Sequence, residues 1–225
     1  MRQAKGIKPE TISAQNKAVW ENLPIQEMNI DYHLVICHKR LFPESRGKKL
    51  LCLGFGEGQN LAYLAAQGFD CYGTEIARGR LLFTKKMLKQ KRRKADLRLV
   101  ESNILPFPDN FFDIVVAWQS LYYNAPETFR EALKEIERVI KPEGKFLSSM
   151  VSPKQKLLCY KKIAPLTYHP SPRTHQEDCT LICLENKKQI RSFYRPFKNI
   201  KIGYYASELF RGPNFHWVIY CRKKA

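Results

Sequence analysis

The sequence predicts an α/β fold: a doubly wound, mostly parallel seven-stranded sheet with helices on both faces. Three observations predict it. Apolar runs of strand length alternate with helical segments from Lys49 to Ser149, a glycine cluster stands directly behind the first run, and two further strand-like runs close the chain. In such a sheet the ligand crevice opens at the carboxyl ends of the strands, where the glycines fall.

Each element has a local reason. "KLLCLG" reads as the first strand, and "NLAYLAAQG" places Leu61, Leu64 and Ala65 on one helical face before Gly68 ends it. "DCYGTE" is a second strand, the basic segment after it a second helix with Leu81, Leu82 and Leu88 facing inward, and "DLRLVE" a third strand. "FFDIVVAW" is apolar on both faces, as a strand covered by helices on each side requires. "ETFREALKEIERVIKPEG" repeats Phe129, Leu133, Ile136 and Ile140 at helical spacing, opens at Pro126 and closes at "KPEG". "KFLSSM" follows as the fifth strand; "IKIGYYA" and "HWVIYCRK" complete the seven.

A length of 225 residues supports one sizeable core with appendages. Residues 1–45, with "NKAVWENL" and "DYHLVICHKRLF" as short helices, form an amino-terminal helical cap, and 46–225 form the main domain. Within it Val151–Asn186 is irregular in pattern and carries Pro153, Pro165, Pro170 and Pro172, which reads as a lid-like insertion. No apolar run approaches the about 18 residues of a membrane span, and "MRQAKGIKPE" lacks a secretion signal's apolar stretch, so the expected location is cytoplasmic. Seven cysteines, an odd number without framework spacing, are expected as reduced thiols.

Thirty-nine Lys and Arg against 21 Asp and Glu leave a formal charge of +18, a field that attracts phosphate-rich partners and anionic surfaces. Much of it lies in "KKMLKQKRRKADLR", Lys85 to Arg98, which reads first as a solvated helix face and second as an RNA or membrane patch.

In "LLCLGFGEGQN" the glycines Gly54, Gly56 and Gly58 bare the backbone for a close approach. The third comes one residue early for the dinucleotide pattern GxGxxG, and "GQN" has no Lys-Ser/Thr for a phosphate loop. Glu75 ends the second strand 17 residues after Gly58, where a carboxylate can accept hydrogen bonds from both ribose hydroxyls of an adenosine.

Taken together, "LLCLGFGEGQNLAYLAAQGFDCYGTE", "LPFPDNFFDIVVAWQSLYY" and "FREALKEIERVIKPEGKFL" resemble the class I S-adenosylmethionine-dependent methyltransferases, which have a Rossmann-like fold; the likeness to their small-molecule branch covers about Lys49 to Met150. It implies S-adenosyl-L-methionine as cofactor and S-adenosyl-L-homocysteine as product. Gly54, Gly56, Gly58 and Asn60 would run beside the methionine and ribose parts, and Glu75 would hold the ribose. Ile76 and Ile104 would sandwich the adenine, Asn103 would face its edge, and Trp118 with Gln119 would close the pocket. Two positions depart from the family: Cys52 stands where the first strand commonly ends in an acid, and Asn103 stands in for the adenine-reading acid.

Methyl transfer from a sulfonium is an in-line displacement with a good leaving group, so positioning in a dry pocket matters most and a base is optional. His175, His216 and Tyr122 are the first candidates for handling an acceptor proton, with His169 and Tyr123 behind them. Trp20 and Tyr32 are candidates to cap the cofactor. His175, Cys179 and Cys183 recur every four residues, but "CTLIC" suits a strand and no second ligand pair exists, so no metal is expected.

For the acceptor, "WQSLYY" lacks the Asn/Asp-Pro-Pro-aromatic arrangement that cradles a flipped base, and no appended RNA-binding module is present. The expectation is a small-molecule or glycan-like acceptor methylated on oxygen. The alternatives are an RNA methyltransferase, drawn from the basic charge, and a non-catalytic cofactor-binding protein with a basic interaction face; a nicotinamide oxidoreductase is opposed by the glycine spacing.

Overall fold

The computed structural model describes residues 9–101, 104–155, 160–170, 179–207 and 214–225. Two helices, α1 (Pro9–Asn22) and α2 (Tyr32–Leu41), precede the alternating core of β1 (Lys49–Leu53), α3 (Gln59–Ala66), β2 (Asp70–Glu75), α4 (Arg78–Gln90), β3 (Asp96–Leu99), β4 (Phe112–Ala117), α5 (Pro126–Val139) and β5 (Ile140–Val151). After β6 (Tyr160–Ala164), β7 (Thr167–Pro170), β8 (Leu181–Ile182) and α6 (Lys187–Phe193), the chain closes with β9 (Phe197–Ser207) and β10 (Asn214–Lys223).

The main sheet has the order β3-β2-β1-β4-β5-β10-β9. Its first five strands are parallel, and β10 runs antiparallel to both β5 and β9. The strand order reverses between β1 and β4, so the loops leaving their carboxyl ends splay apart and open a crevice. Leu50, Leu51, Val115 and Val116 are almost wholly buried, as central strands covered on both faces must be. One apolar cluster forms around α5, β5 and α6, and the other around α3, α4 and α2.

Three expectations need correction. Leu82 is 54% exposed, because α4 buries the stripe Leu81, Thr84, Met87 and Leu88, and Leu82 lies about 100° around the helix from Leu81. Ile140 begins β5 instead of ending α5, so the helix stops before "KPEG". The stretch read as irregular carries a three-stranded antiparallel sheet, β6-β7-β8, whose Tyr168, Leu181 and Ile182 are buried in the first cluster. β8 is tied to the main domain by the Ile182 N–H donating to the Tyr122 carbonyl at 2.8 Å.

Candidate active site

The turn after β1 is built on left-handed backbone at Gly54 (φ 61°), Gly56 (φ 54°) and Gly58 (φ 81°). The three glycines do different work. A Cβ on Gly58 would stand 2.3 Å from Thr84 Cγ2 and one on Gly54 2.7 Å from Ser120 Cβ, so both positions allow close packing. A Cβ on Gly56 would meet nothing within 4 Å; it would project into open space. Gly54 and Gly56 line the cavity described below, whereas Gly58 is buried against α4.

Glu75 closes the turn from the other side. Its Oε2 accepts from the Gly56 N–H at 2.8 Å, and its Oε1 accepts from Ile76 at 2.9 Å and Ala77 at 3.1 Å. The residue is 5% exposed, and burial pushes its carboxyl above the ordinary glutamate range against the pull of those three N–H groups. Each carboxylate oxygen has two acceptor positions, so this arrangement leaves acceptor capacity toward the cavity.

The loop across the cleft is set by Arg138, whose guanidinium reaches Glu135, Asp109 and the carbonyls of Leu105 and Phe107, while Glu135 also accepts from the Leu105 N–H. This holds Ile104 and Leu105 at the wall of the cavity, which Ile76 also lines. After β4, Trp118 is buried and stacked on Tyr205 at 5.7 Å, and Gln119 has a left-handed φ of 54°. Gln119 donates from its backbone to Ser149 Oγ at 2.7 Å and from Nε2 to Tyr205 Oη at 2.9 Å.

Two residues outside the expected set complete the wall. Asp31 caps α2: its Oδ1 accepts from the N–H groups of His33 and Leu34, and its own N–H donates to Asn60 Oδ1 at 2.9 Å. Its Oδ2 lies 3.4 Å from Gln119 Nε2. Asn16, 1% exposed on α1, donates to the carbonyls of Tyr123 and Thr180 and accepts from the Thr180 N–H, each at 2.7 to 2.9 Å. It fastens α1 to the segment that enters β8, and Trp20 packs edge-on against Tyr123 at 4.9 Å.

These elements enclose a cavity of about 1300 Å³, larger than the roughly 300–1,000 Å³ of a pocket for one small ligand. Its lining is acidic. Glu10, Asp31, Glu75, Glu127 and Glu131 face it together with Lys17, paired with Glu101, and Arg80, paired with Glu57.

Of the expected cofactor residues, Gly54, Gly56, Asn60, Glu75, Ile76, Ile104, Trp118 and Gln119 all line this cavity; Gly58 supports it from behind, and Asn103 lies outside the described residues. Trp20 lines it, whereas Tyr32 is 71% exposed and caps nothing. Among the proton-handling candidates, Tyr122 and Tyr123 line the cavity and His216 sits behind Tyr122 with ring centroids 5.6 Å apart. Burial pushes the His216 imidazole down to about 4, so it is neutral near pH 7. His169 is turned to the Cys179 carbonyl within the small sheet, and His175 lies outside the described residues. Cys52 is buried and burial raises its thiol far above the usual range, so it carries no charge. Among the described residues no group of His, Cys, Asp and Glu is placed to hold a metal ion.

A sheet of this order, with a glycine turn after β1 and a crevice between β1 and β4, defines the Rossmann-like fold of the class I methyltransferases. Residues 51–148 match the family model for a methyltransferase domain. Such a domain is an enzyme unit that uses S-adenosylmethionine. Solved structures share the fold at low identity. An S-adenosylmethionine-dependent methyltransferase from Methanosarcina mazei superposes with a TM-score of 0.67 at 18% identity, over 88% of this chain and 99% of that one. The PH0226 protein from Pyrococcus horikoshii gives 0.66 at 17%, over 84% and 87%. An S-adenosylmethionine-dependent methyltransferase from Clostridium acetobutylicum gives 0.64 at 11%, over 87% and 93%. None of the curated proteins compared with the chain matches it by sequence.

Proposed function

We propose that the cavity holds S-adenosylmethionine along Gly54–Asn60 and directs its methyl group to a small-molecule or glycan-like acceptor, on oxygen, in the cytoplasm. The observation that carries this reading is an acidic, roofed cavity in a chain of charge +18. The bare backbone at Gly56 fits the cofactor, since any side chain there would project into the space it needs. When bound, the sulfonium supplies an activated methyl group, and everything else falls to the protein's own residues.

Glu75 accepts from the ribose hydroxyls while its carboxylate stays pinned to the Gly56 N–H. Ile76 and Ile104 take the faces of the adenine. Asp31 supplies a carboxylate for the amino-acid end, in place of the acid that Cys52 does not provide, and Asn60 and Gln119 fix its position. Trp118 and Gln119 close the inner wall. Tyr122 orients the acceptor hydroxyl, and the neutral His216 behind it keeps positive charge away from the approaching sulfonium. The described parts of residues 1–45 and of the 151–186 stretch cover the cleft and exclude water, held together where Asn16 meets Thr180. Cys37, Cys52, Cys71 and Cys221 are free thiols, which supports a reducing compartment.

The alternative of an RNA acceptor draws on the exposed bases of α4. The carboxylates Glu10, Glu127 and Glu131 at the cavity count against it, because a phosphate chain entering there would meet like charge. Calorimetry tests the cofactor: S-adenosylmethionine and S-adenosylhomocysteine should bind and NAD should not. Mass spectrometry of a metabolite extract incubated with methyl-labelled cofactor tests the acceptor. A label recovered in RNA and in no metabolite overturns the small-acceptor reading.

A further inference from the structure

The connection between α1 and α2 and the outer face of α4 form an apolar patch beside a basic one. Ile25 is 39% exposed, Met28 56%, Ile30 46% and Leu82 54%, and these are most of the large apolar side chains that the described surface exposes. Ile25 meets the Leu82 face of α4 in space, and Met28 and Ile30 follow Ile25 along the chain. A Cβ on Gly79 would lie 3.4 Å from Ile25 Cδ1, and Leu82 stands three residues further along α4, hence on the same helical face. Lys85, Lys86 and Lys89 continue from Leu82 at helical spacing, and Lys91, Arg92, Arg93 and Lys94 follow in the turn; all are exposed. Among the described residues, none of the bases from Lys85 to Lys94 takes part in an ion pair.

We propose that this face docks the protein on an anionic phospholipid surface. Uncompensated cations select for a negative partner, and the apolar side chains decide which kind. Binding of single-stranded nucleic acid uses a series of aromatic rings on which bases stack, but here Ile25, Met28, Ile30 and Leu82 outnumber the one exposed ring nearby in the chain, Tyr32. Aliphatic groups beside lysines suit the boundary between headgroups and acyl chains, where apolar area and charge attraction add. No described helix is long and apolar enough to cross a membrane, so contact of this kind would be peripheral. The same connection lines the cavity through Pro24, Gln26, Met28 and Asn29, which places the cavity wall next to the docking face. Docking stands on this surface alone and does not depend on which acceptor is methylated.

Sedimentation of the full chain with phosphatidylcholine vesicles, with and without phosphatidylserine, tests the proposal. Binding is expected only with phosphatidylserine and should weaken as salt rises. The triple variant K85Q/K86Q/K89Q should lose about a hundredfold in affinity, from roughly fivefold per base. The variant I25D/L82D should also bind weakly while keeping its helical spectrum and its affinity for S-adenosylhomocysteine. Failure of the wild-type chain to sediment with phosphatidylserine vesicles overturns the proposal. So does equal binding to both vesicle types, or binding to single-stranded RNA that I25D/L82D leaves intact while vesicle binding is absent.

Discussion

The cleft and the outer face of α4 lie on two sides of the same helix and carry opposite charge. On the cleft side carboxylates predominate, and its two bases, Lys17 and Arg80, are each paired with a glutamate. On the outer face the bases from Lys85 to Lys94 are exposed, and none is in an ion pair among the described residues. The difference teaches that the net charge of +18 describes the exterior and says nothing of the chemistry inside. A negative pocket in a positive protein suits a cofactor bearing a sulfonium and an ammonium. Arg80 shows how the separation is kept: a base from the basic segment is drawn inward to 3% exposure, held by Glu57 and the Trp20 carbonyl, and adds no free charge to the cleft.

Gly58 joins the glycine turn to the buried face of α4, and the largest effect is expected there. Gly58→Ala forces a Cβ against Thr84 and Met87 of α4 in left-handed backbone. It should lower unfolding free energy by about 2–5 kcal/mol, from the torsional and overpacking terms together. Gly56→Ala carries only the torsional cost, about 1–2 kcal/mol, but obstructs the cavity. Denaturant unfolding of both separates them; equal losses would break the distinction between a packing glycine and a ligand glycine.

Next comes the pH response of the cleft wall. The folded chain keeps His216 neutral down to about 4 because burial opposes the imidazolium, whereas the unfolded chain protonates it at its ordinary value of 6.5. Stability from this group is therefore present at pH 7, is lost as pH falls from 6.5 to 4, and changes no further below that. The loss should reach about 3 kcal/mol. His216→Phe, which retains the ring between Tyr205 and Tyr122, should flatten that part of the stability curve.

Smaller again is the effect on cofactor affinity. Glu75→Ala should weaken S-adenosylhomocysteine binding by about 1–3 kcal/mol, and Asp31→Asn by a comparable or smaller amount. Because burial raises the Glu75 carboxyl, wild-type affinity should begin to fall on acidification at a higher pH than an ordinary glutamate would give. Unchanged calorimetric affinity in Glu75→Ala would remove the ribose assignment.

How much of this was legible in the sequence follows from range. The glycine turn, Glu75 and the alternating core announce themselves within short windows, and the structure assembles them around one cavity. Asp31 was missed although it stands before a helical stretch as an N-cap should, since nothing local says that the cap lies beside Asn60 and Gln119. Asn16 meets Thr180 across 164 positions, a contact no periodicity encodes. β8 is two residues long, too short for alternation to register, so the insertion read as irregular. The apolar character of Leu82 points it inward, while the angle between neighbours on a helix sends it out.

The smallest expected effect is the sharpest test of the contrast. Lys86→Glu reverses a charge on the outer face of α4, in the same helix whose first turn holds Arg80 at the cleft. Exposed charges act through water and salt, and beyond a screening length of about 8 Å at physiological ionic strength their influence fades. The cleft carboxylates, by contrast, act across a partly desolvated space. Lys86→Glu should thus change S-adenosylhomocysteine affinity by less than about 0.5 kcal/mol, within the usual range for surface substitutions, with no change in its salt dependence. A shift as large as that of Asp31→Asn would mean that the exterior field reaches the cavity, and that the two regions form one electrostatic unit.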